Sequence, residues 1–184
     1  SEDGGRSWGP LQLVVKARGM DAVMNPCPVV DAKTKTIHCL CNVFPSGSME
    51  LHRQPGAVRT IAVKSRDDGV CWSSPKDITD AIIDALTDYG KGTGPGAGIQ
   101  TEGGRLVIPF GIGPEDSSMG TIVYSDDHGE SWRAGGRTRS TSTELQVVEL
   151  SDGSLRMDMR NQRSEEKPKH CRYYSMSRDG GLTW

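Results

Sequence analysis

The sequence has no basic surplus. Its 22 lysines and arginines face 24 acidic residues, for a formal net charge of -2. Nucleic-acid-binding surfaces usually appear as a basic excess, so no nucleic-acid partner is expected. No apolar run approaches the roughly 18 residues of a membrane helix, so no membrane segment is expected either. The first residues lack the basic-then-apolar pattern of a secretory leader, although the chain opens inside a repeat and a leader upstream stays an open alternative. The five cysteines (Cys27, Cys39, Cys41, Cys71 and Cys171) form no CxxC pair. An odd count supplies no complete disulfide framework and the spacing carries no zinc signature, so buried free thiols are expected. That pattern leans toward a reducing compartment such as the cytoplasm, with secreted and lysosomal locations open. Helical periodicity is also scarce. With 23 glycines and 10 prolines, the chain reads as short strands joined by many turns.

What is abundant is repetition. SEDGGRSW (1–8), SRDDGVCW (65–72), SDDHGESW (125–132) and SRDGGLTW (177–184) all obey S-x-D-x-G-x-x-W and together use all four tryptophans. Repeats roughly 50 to 65 residues apart suit one four-stranded sheet per repeat better than a small solenoid coil. TIAVKS, GTIVYS and CRYYSMS precede the later boxes and alternate as strands do. In each box the aspartate (Asp67, Asp127, Asp179) can accept backbone N–H bonds across a turn. The glycine (Gly69, Gly129, Gly181) permits a positive φ. The tryptophan three residues on can pack against the next sheet, its indole N–H still needing a partner. The box therefore reads as a hairpin clasp and not as a catalytic aspartate, because a motif recurring once per sheet cannot converge on one site.

Between the boxes, DAKTKTIHCLCNVF (31–44) reads as a turn and a strand, and TEGGRLVIPFG (101–111) as a Gly103–Gly104 turn before an apolar strand. ELQVVELSDGSLRMDMRN (144–161) is the clearest hairpin, with Asp152–Gly153 at its tip. SPKDITDAIIDAL (74–86) breaks the pattern. It predicts a short helix with Ile78, Ala81, Ile82 and Ala85 on one face.

These phrases resemble a known family. The boxes are similar to the Asp boxes of sialidases. MNPCPVVDAKTKTI (24–37), WSSPKDITDAI (72–82), GPGAGIQ (94–100) and STELQVVELSDGSLRMDMRNQ (142–162) resemble that family's mammalian cytosolic and lysosomal members and bacterial relatives over nearly the whole chain. The resemblance implies an all-β fold, a six-bladed β-propeller of which this chain supplies about three blades. It implies a retaining exo-α-sialidase acting on sialylated glycoconjugates, with no metal and no cofactor. In such enzymes three arginines clamp the sialic acid carboxylate, a tyrosine activated by a glutamate is the nucleophile, and an aspartate is the general acid. A neutral phenol avoids the repulsion a carboxylate nucleophile would meet at a carbon already bearing a carboxylate.

By resemblance, Glu144 of TELQ matches the glutamate that activates the tyrosine. Arg160 of MRNQ matches the second arginine of the clamp, a role suited to its planar fork. Asn25 of MNPCP matches a substrate-facing position. The pattern departs from the family in three places: Leu145 replaces a cysteine, Asp158–Met159 replaces Asn-Ala, and the glycines of PFGIG (109–113) stand where aromatics approach the sugar's glycerol tail. The last bears on substrate preference more than on chemistry.

The hairpin poses a register problem. A strict two-residue turn at Asp152–Gly153 pairs Glu144 with Asn161 and sends Glu144 and Arg160 to opposite faces. For both to serve one pocket, the loop must hold an odd number of residues, a bulge must intervene, or one residue must lie beyond its strand. Such an irregularity is expected between 144 and 160.

The family's first arginine and general-acid aspartate precede the first box, and its third arginine and tyrosine follow the last. Of the tyrosines present, Tyr124, Tyr173 and Tyr174 are expected in core packing, and neither they nor Tyr89 is assigned as nucleophile. The expectation is a half-propeller, inactive alone, that closes with the remainder of the protein or by self-association. Two other readings stay open: a propeller that binds a glycan or protein without cleaving it, and a scaffold with no site.

Overall fold

The computed structural model describes residues 1–46, 54, 56–83, 90–113, 118–139, 142–161 and 171–184. Among the described residues it contains three antiparallel sheets. The first is a meander of β1 (Ala22–Asp31), β2 (Thr36–Phe44), β3 (Arg59–Ser65) and β4 (Lys76–Asp77). The second orders β5 (Gly90–Thr93), β7 (Leu106–Ile112), β8 (Met119–Ser125) and β9 (Arg133–Ala134), with β6 (Ile99–Gln100) also paired to β7. The third is β10 (Ser142–Glu149), β11 (Leu155–Asn161) and β12 (Arg172–Ser177).

The second sheet lies between the other two: β1 rests on β6 and β7, and β10 on β7 and β8. Covered on both faces, β7 (LVIPFGI) is buried at every position. That is why its sequence is a continuous apolar run and not an alternating one. Leu106, Ile108 and Phe110 point into one cluster with Cys27, Val29 and Leu40 of the first sheet. Val107 points the other way, toward Leu145, Val147 and Met157 of the third. Each such large side chain contributes about 1.5–3 kcal/mol by leaving water.

The boxes are the expected clasps, built alike. In all four, the aspartate Oδ1 accepts a backbone N–H four residues on at 2.9 Å: from Ser7, Cys71, Ser131 and Thr183. The serine Oγ accepts the glycine N–H at 2.7–2.9 Å. The glycines have φ between 80° and 91°. The tryptophans differ. Trp132 is buried among Ile78, Ile82 and Ile83, Trp72 donates its indole N–H to Gly69 O at 3.0 Å within its own box, and Trp8 is 79% exposed.

Three expectations are corrected. The segment 74–86 is not a helix throughout: Lys76–Asp77 is strand, and the helix α1 is one turn, Thr79–Ile82, with residues 84–86 outside the described residues. Ile78 and Ile82 are buried but Ala81 is exposed, because Ile78 precedes the helix and Ile83 takes up the buried side after it. Tyr174 is 61% exposed beneath the Arg156 guanidinium and is not core, since alternate residues of β12 face out. Tyr89 lies outside the described residues. Of the cysteines, Cys27, Cys39 and Cys41 are buried, but Cys71 is exposed and Cys171 only half-buried. Cys71 sits in a box turn, where the side chain next to the tryptophan faces water. The 144–161 hairpin turns at Asp152–Gly153 as expected, with an odd number of residues in its loop. Glu149 pairs with Leu155, leaving Leu150–Ser154 as the loop.

Candidate functional site

Glu144 and Arg160 are brought to one side by the odd, five-residue loop, one of the solutions the register problem allowed, and a bulge follows at Glu144 itself. From Glu149↔Leu155 to Leu145↔Met159 the ladder is regular, and then Thr143 pairs with Arg160, leaving Glu144 as the extra residue of a bulge. Glu144 has φ 52°, a left-handed conformation that costs a non-glycine residue about 1 kcal/mol or more. Its Oε1 accepts from Arg160 Nη1 of the neighbouring strand at 2.6 Å. Both side chains are about half exposed, at 48% and 51%. An ion pair that wet adds little to stability. The strained backbone is therefore not offset by the contact it makes, which is the pattern of a residue placed for work on something else.

Asn25 has the same local structure on another sheet. The β1–β2 register shifts between Met24 and Cys27, and Asn25 in the gap has φ 52°. Asparagine tolerates this region better than most residues. The first strand of the middle sheet, β5, carries a third shift, between Gly90 and Gly92, with Gly92 at φ 94°. The first strand of every sheet thus kinks near its beginning, and two of the three kinks hold residues singled out as site candidates. A bulge beside a functional position re-aims a side chain without ending the strand.

All three departures from the family pattern have clear places. Leu145 is fully buried against Met157 and Met159, so it packs between the second and third sheets. Asp158 accepts from Arg156 Nε at 3.0 Å on β11, across from the exposed Tyr174. PFGIG is buried, 109–112 along β7 and Gly113 just past its end.

Sequence reading missed a buried carboxylate. Asp31, fully buried at the end of β1, accepts from Lys33 N, Thr34 Oγ1 and Gln100 Nε2 and faces His128 Nδ1 at 2.7 Å. Burial raises its pKa, but these bonds outweigh burial and hold it well below the usual carboxylate range. It joins the first sheet to the box of the second, and only long-range contact reveals it. His38 beneath it is held below its ordinary pKa, first by burial and then by Lys64, and stacks edge-on to Trp132.

Among the described residues, no cluster of three or more His, Cys, Asp or Glu is placed to hold a metal ion. None of the helices there is long and apolar enough to cross a membrane.

A family model described as a BNR repeat-like domain matches residues 1–184. Sialidase-4 of Homo sapiens is 34% identical over 163 residues, which cover 77% of this chain and 34% of that protein. A sialidase of Bacteroides fragilis is 30% identical over 200 residues, covering 100% of this chain and 36% of its own length. Among solved structures, the Hadza microbial sialidase Hz136 superposes with a TM-score of 0.86 at 30% identity, covering 100% of this chain and 38% of that one. The Trypanosoma rangeli sialidase in complex with sialic acid gives 0.76 at 26% identity, over 100% of this chain and 31% of that one. The chain spans about a third of the length of these relatives.

Proposed function

The chain belongs to the sialidase family of BNR-repeat domains, and on that premise we propose that it is part of an exo-α-sialidase that hydrolyses terminal sialic acids of glycoconjugates. Its three sheets are about three blades of a six-bladed propeller, and the kinked first strands line the centre. Arg160 binds the substrate carboxylate. Its guanidinium carries five donors, of which Nη1 meets Glu144, and the planar fork suits a second carboxylate. Glu144 accepts the phenolic proton of the nucleophilic tyrosine, and Asn25 contacts the sugar. The tyrosine, the general acid and two further arginines belong to the remainder of the protein, so these 184 residues alone do not turn over.

The observation that carries this reading is the Glu144–Arg160 pair at a strained bulge. Its test is hydrolysis of a fluorogenic α-sialoside by the full-length protein. The reading expects turnover that Glu144→Gln reduces through kcat and Arg160→Ala weakens through KM. Absence of both hydrolysis and sialic acid binding overturns it; binding without hydrolysis leaves the non-catalytic glycan-binding propeller in its place.

A further inference from the structure

We propose that the segment Gly92–Gly96 of the middle sheet is a spacer that sets Asn25 and Glu144 in place, with Thr93 and Gln146 as positioning residues; this rests on the sialidase reading above. On one side, Thr93 Oγ1 donates to the carbonyl of Asn25, the residue at φ 52°. Thr93 is itself held from behind: its N–H donates to Asn42 Oδ1 at 2.8 Å. Asn42 Nδ2 donates to Thr60 Oγ1 at 3.1 Å, and Thr60 N–H donates to Thr79 Oγ1 at 2.8 Å. Asn42, Thr60 and Thr79 are fully buried and Thr93 is 2% exposed. A buried row of satisfied polar groups thus crosses the first sheet and ends on the kinked strand, and such a network fixes geometry because any member left unpaired is costly.

On the other side, Gln146 Nε2 donates to Pro95 O at 3.0 Å. Gly92 and Gly94 are required by proximity, and Gly96 lies close against a side chain. A Cβ on Gly92 would lie 2.4 Å from Asn42 Oδ1, one on Gly94 2.6 Å from Leu145 O, and one on Gly96 1.8 Å from Gln146 Nε2. The segment therefore touches the first sheet through Asn25 and Asn42 and the third through Leu145 and Gln146, the two residues after Glu144. Neither Thr93 nor Gln146 is assigned contact with substrate; each acts through its neighbour.

The experiment uses the full-length protein and two variants that separate the two sides. Thr93→Val keeps the shape and removes the hydroxyl; Thr93→Ser restores it. Thr93→Val is expected to raise KM for the sialoside at least tenfold with kcat within twofold, to shift the Asn25 cross-peak of protein labelled with 15N-asparagine, and to be reversed on both counts by Thr93→Ser. Gln146→Met is expected to lower kcat at least fivefold with KM within twofold, because it loosens the strand carrying Glu144. If Asn25→Ala raises KM while Thr93→Val leaves both KM and the Asn25 cross-peak unchanged, the positioning role is wrong. If Thr93→Val does not fold, Gln146→Met decides, and wild-type kinetics there refute the spacer. If Asn25→Ala and Arg160→Ala both leave activity intact, the site assignment fails instead. An Asn25 cross-peak unmoved by Thr93→Val then refutes the spacer as well.

Discussion

Glu144 and Arg160 meet at 2.6 Å across the β10–β11 hairpin, whose five-residue loop already sets position 144 opposite position 160. Without the bulge, the ladder that pairs Leu145 with Met159 would continue regularly and Glu144 would face Arg160 directly in an ordinary strand conformation. The bulge instead lifts Glu144 into a left-handed conformation and leaves the ion pair half exposed, where a third group can join it.

The pair's geometry makes lysine a poor substitute at 160. Lysine keeps the charge but replaces a rigid fork with a point charge. Arg160→Lys in the full-length protein is expected to raise KM for an α-sialoside at least tenfold, nearly as much as Arg160→Ala, with the folded far-ultraviolet spectrum unchanged. Wild-type KM in Arg160→Lys shows that the guanidinium fork is not used.

Relief of strain separates stability from function at 144. Glycine adopts φ 52° freely, so Glu144→Gly removes a cost of about 1–2 kcal/mol. It gives back part of that through a more flexible unfolded chain and a lost surface ion pair worth at most about 1 kcal/mol. Urea denaturation is expected to find the variant as stable as the parent or up to about 1 kcal/mol more stable, and catalytically dead. A loss of more than 1 kcal/mol makes Glu144 a structural residue.

The clasps make stability depend on acid pH. Partial burial pushes the Asp127 carboxyl up, but Ser131, through its hydroxyl and its backbone N–H, and Ser125 pull it down from 3.8 to about 2. A carboxylate depressed on folding stabilises above its unfolded pKa and loses that contribution as pH falls through the folded value. The melting temperature of Asp127→Asn is therefore expected a few degrees below wild type at pH 7, with the gap closing between pH 4 and pH 2. A gap independent of pH means that the hydrogen-bond geometry matters and the charge does not.

Two glycines with the same backbone conformation separate strain from packing. Gly129 has φ 80° and Gly153 φ 79°. A Cβ at Gly153 meets nothing within 4 Å, whereas one at Gly129 lies 2.2 Å from His38 Cε1, a buried ring. Gly153→Ala is expected to cost about 1 kcal/mol. Gly129→Ala adds an overpacking penalty of about 1–3 kcal/mol. Equal losses in chemical denaturation mean that the His38 ring moves aside freely.

The repeats carried the architecture in their own residues. Serine, aspartate and glycine at fixed offsets are a complete local recipe for the clasp, because every bond it makes lies within five residues; β12 alternates as expected, whereas β8, within the middle sheet, is buried at every position after its first. The need for an irregularity between 144 and 160 was equally legible, since side-chain direction in a strand follows from counting. Where local chemistry was ambiguous, the local reading failed: the isoleucines of 78–83 suit a helix or a buried corner, and contact with Trp132 decided for the corner after one turn. Asp31 with His128, and Thr93 with Asn25, join residues 97 and 68 positions apart. No spacing rule encodes such pairs. They exist only because three sheets stack and bring their first strands side by side, so the chain alone could nominate Glu144, Arg160 and Asn25, while the packing of sheet on sheet set what holds them.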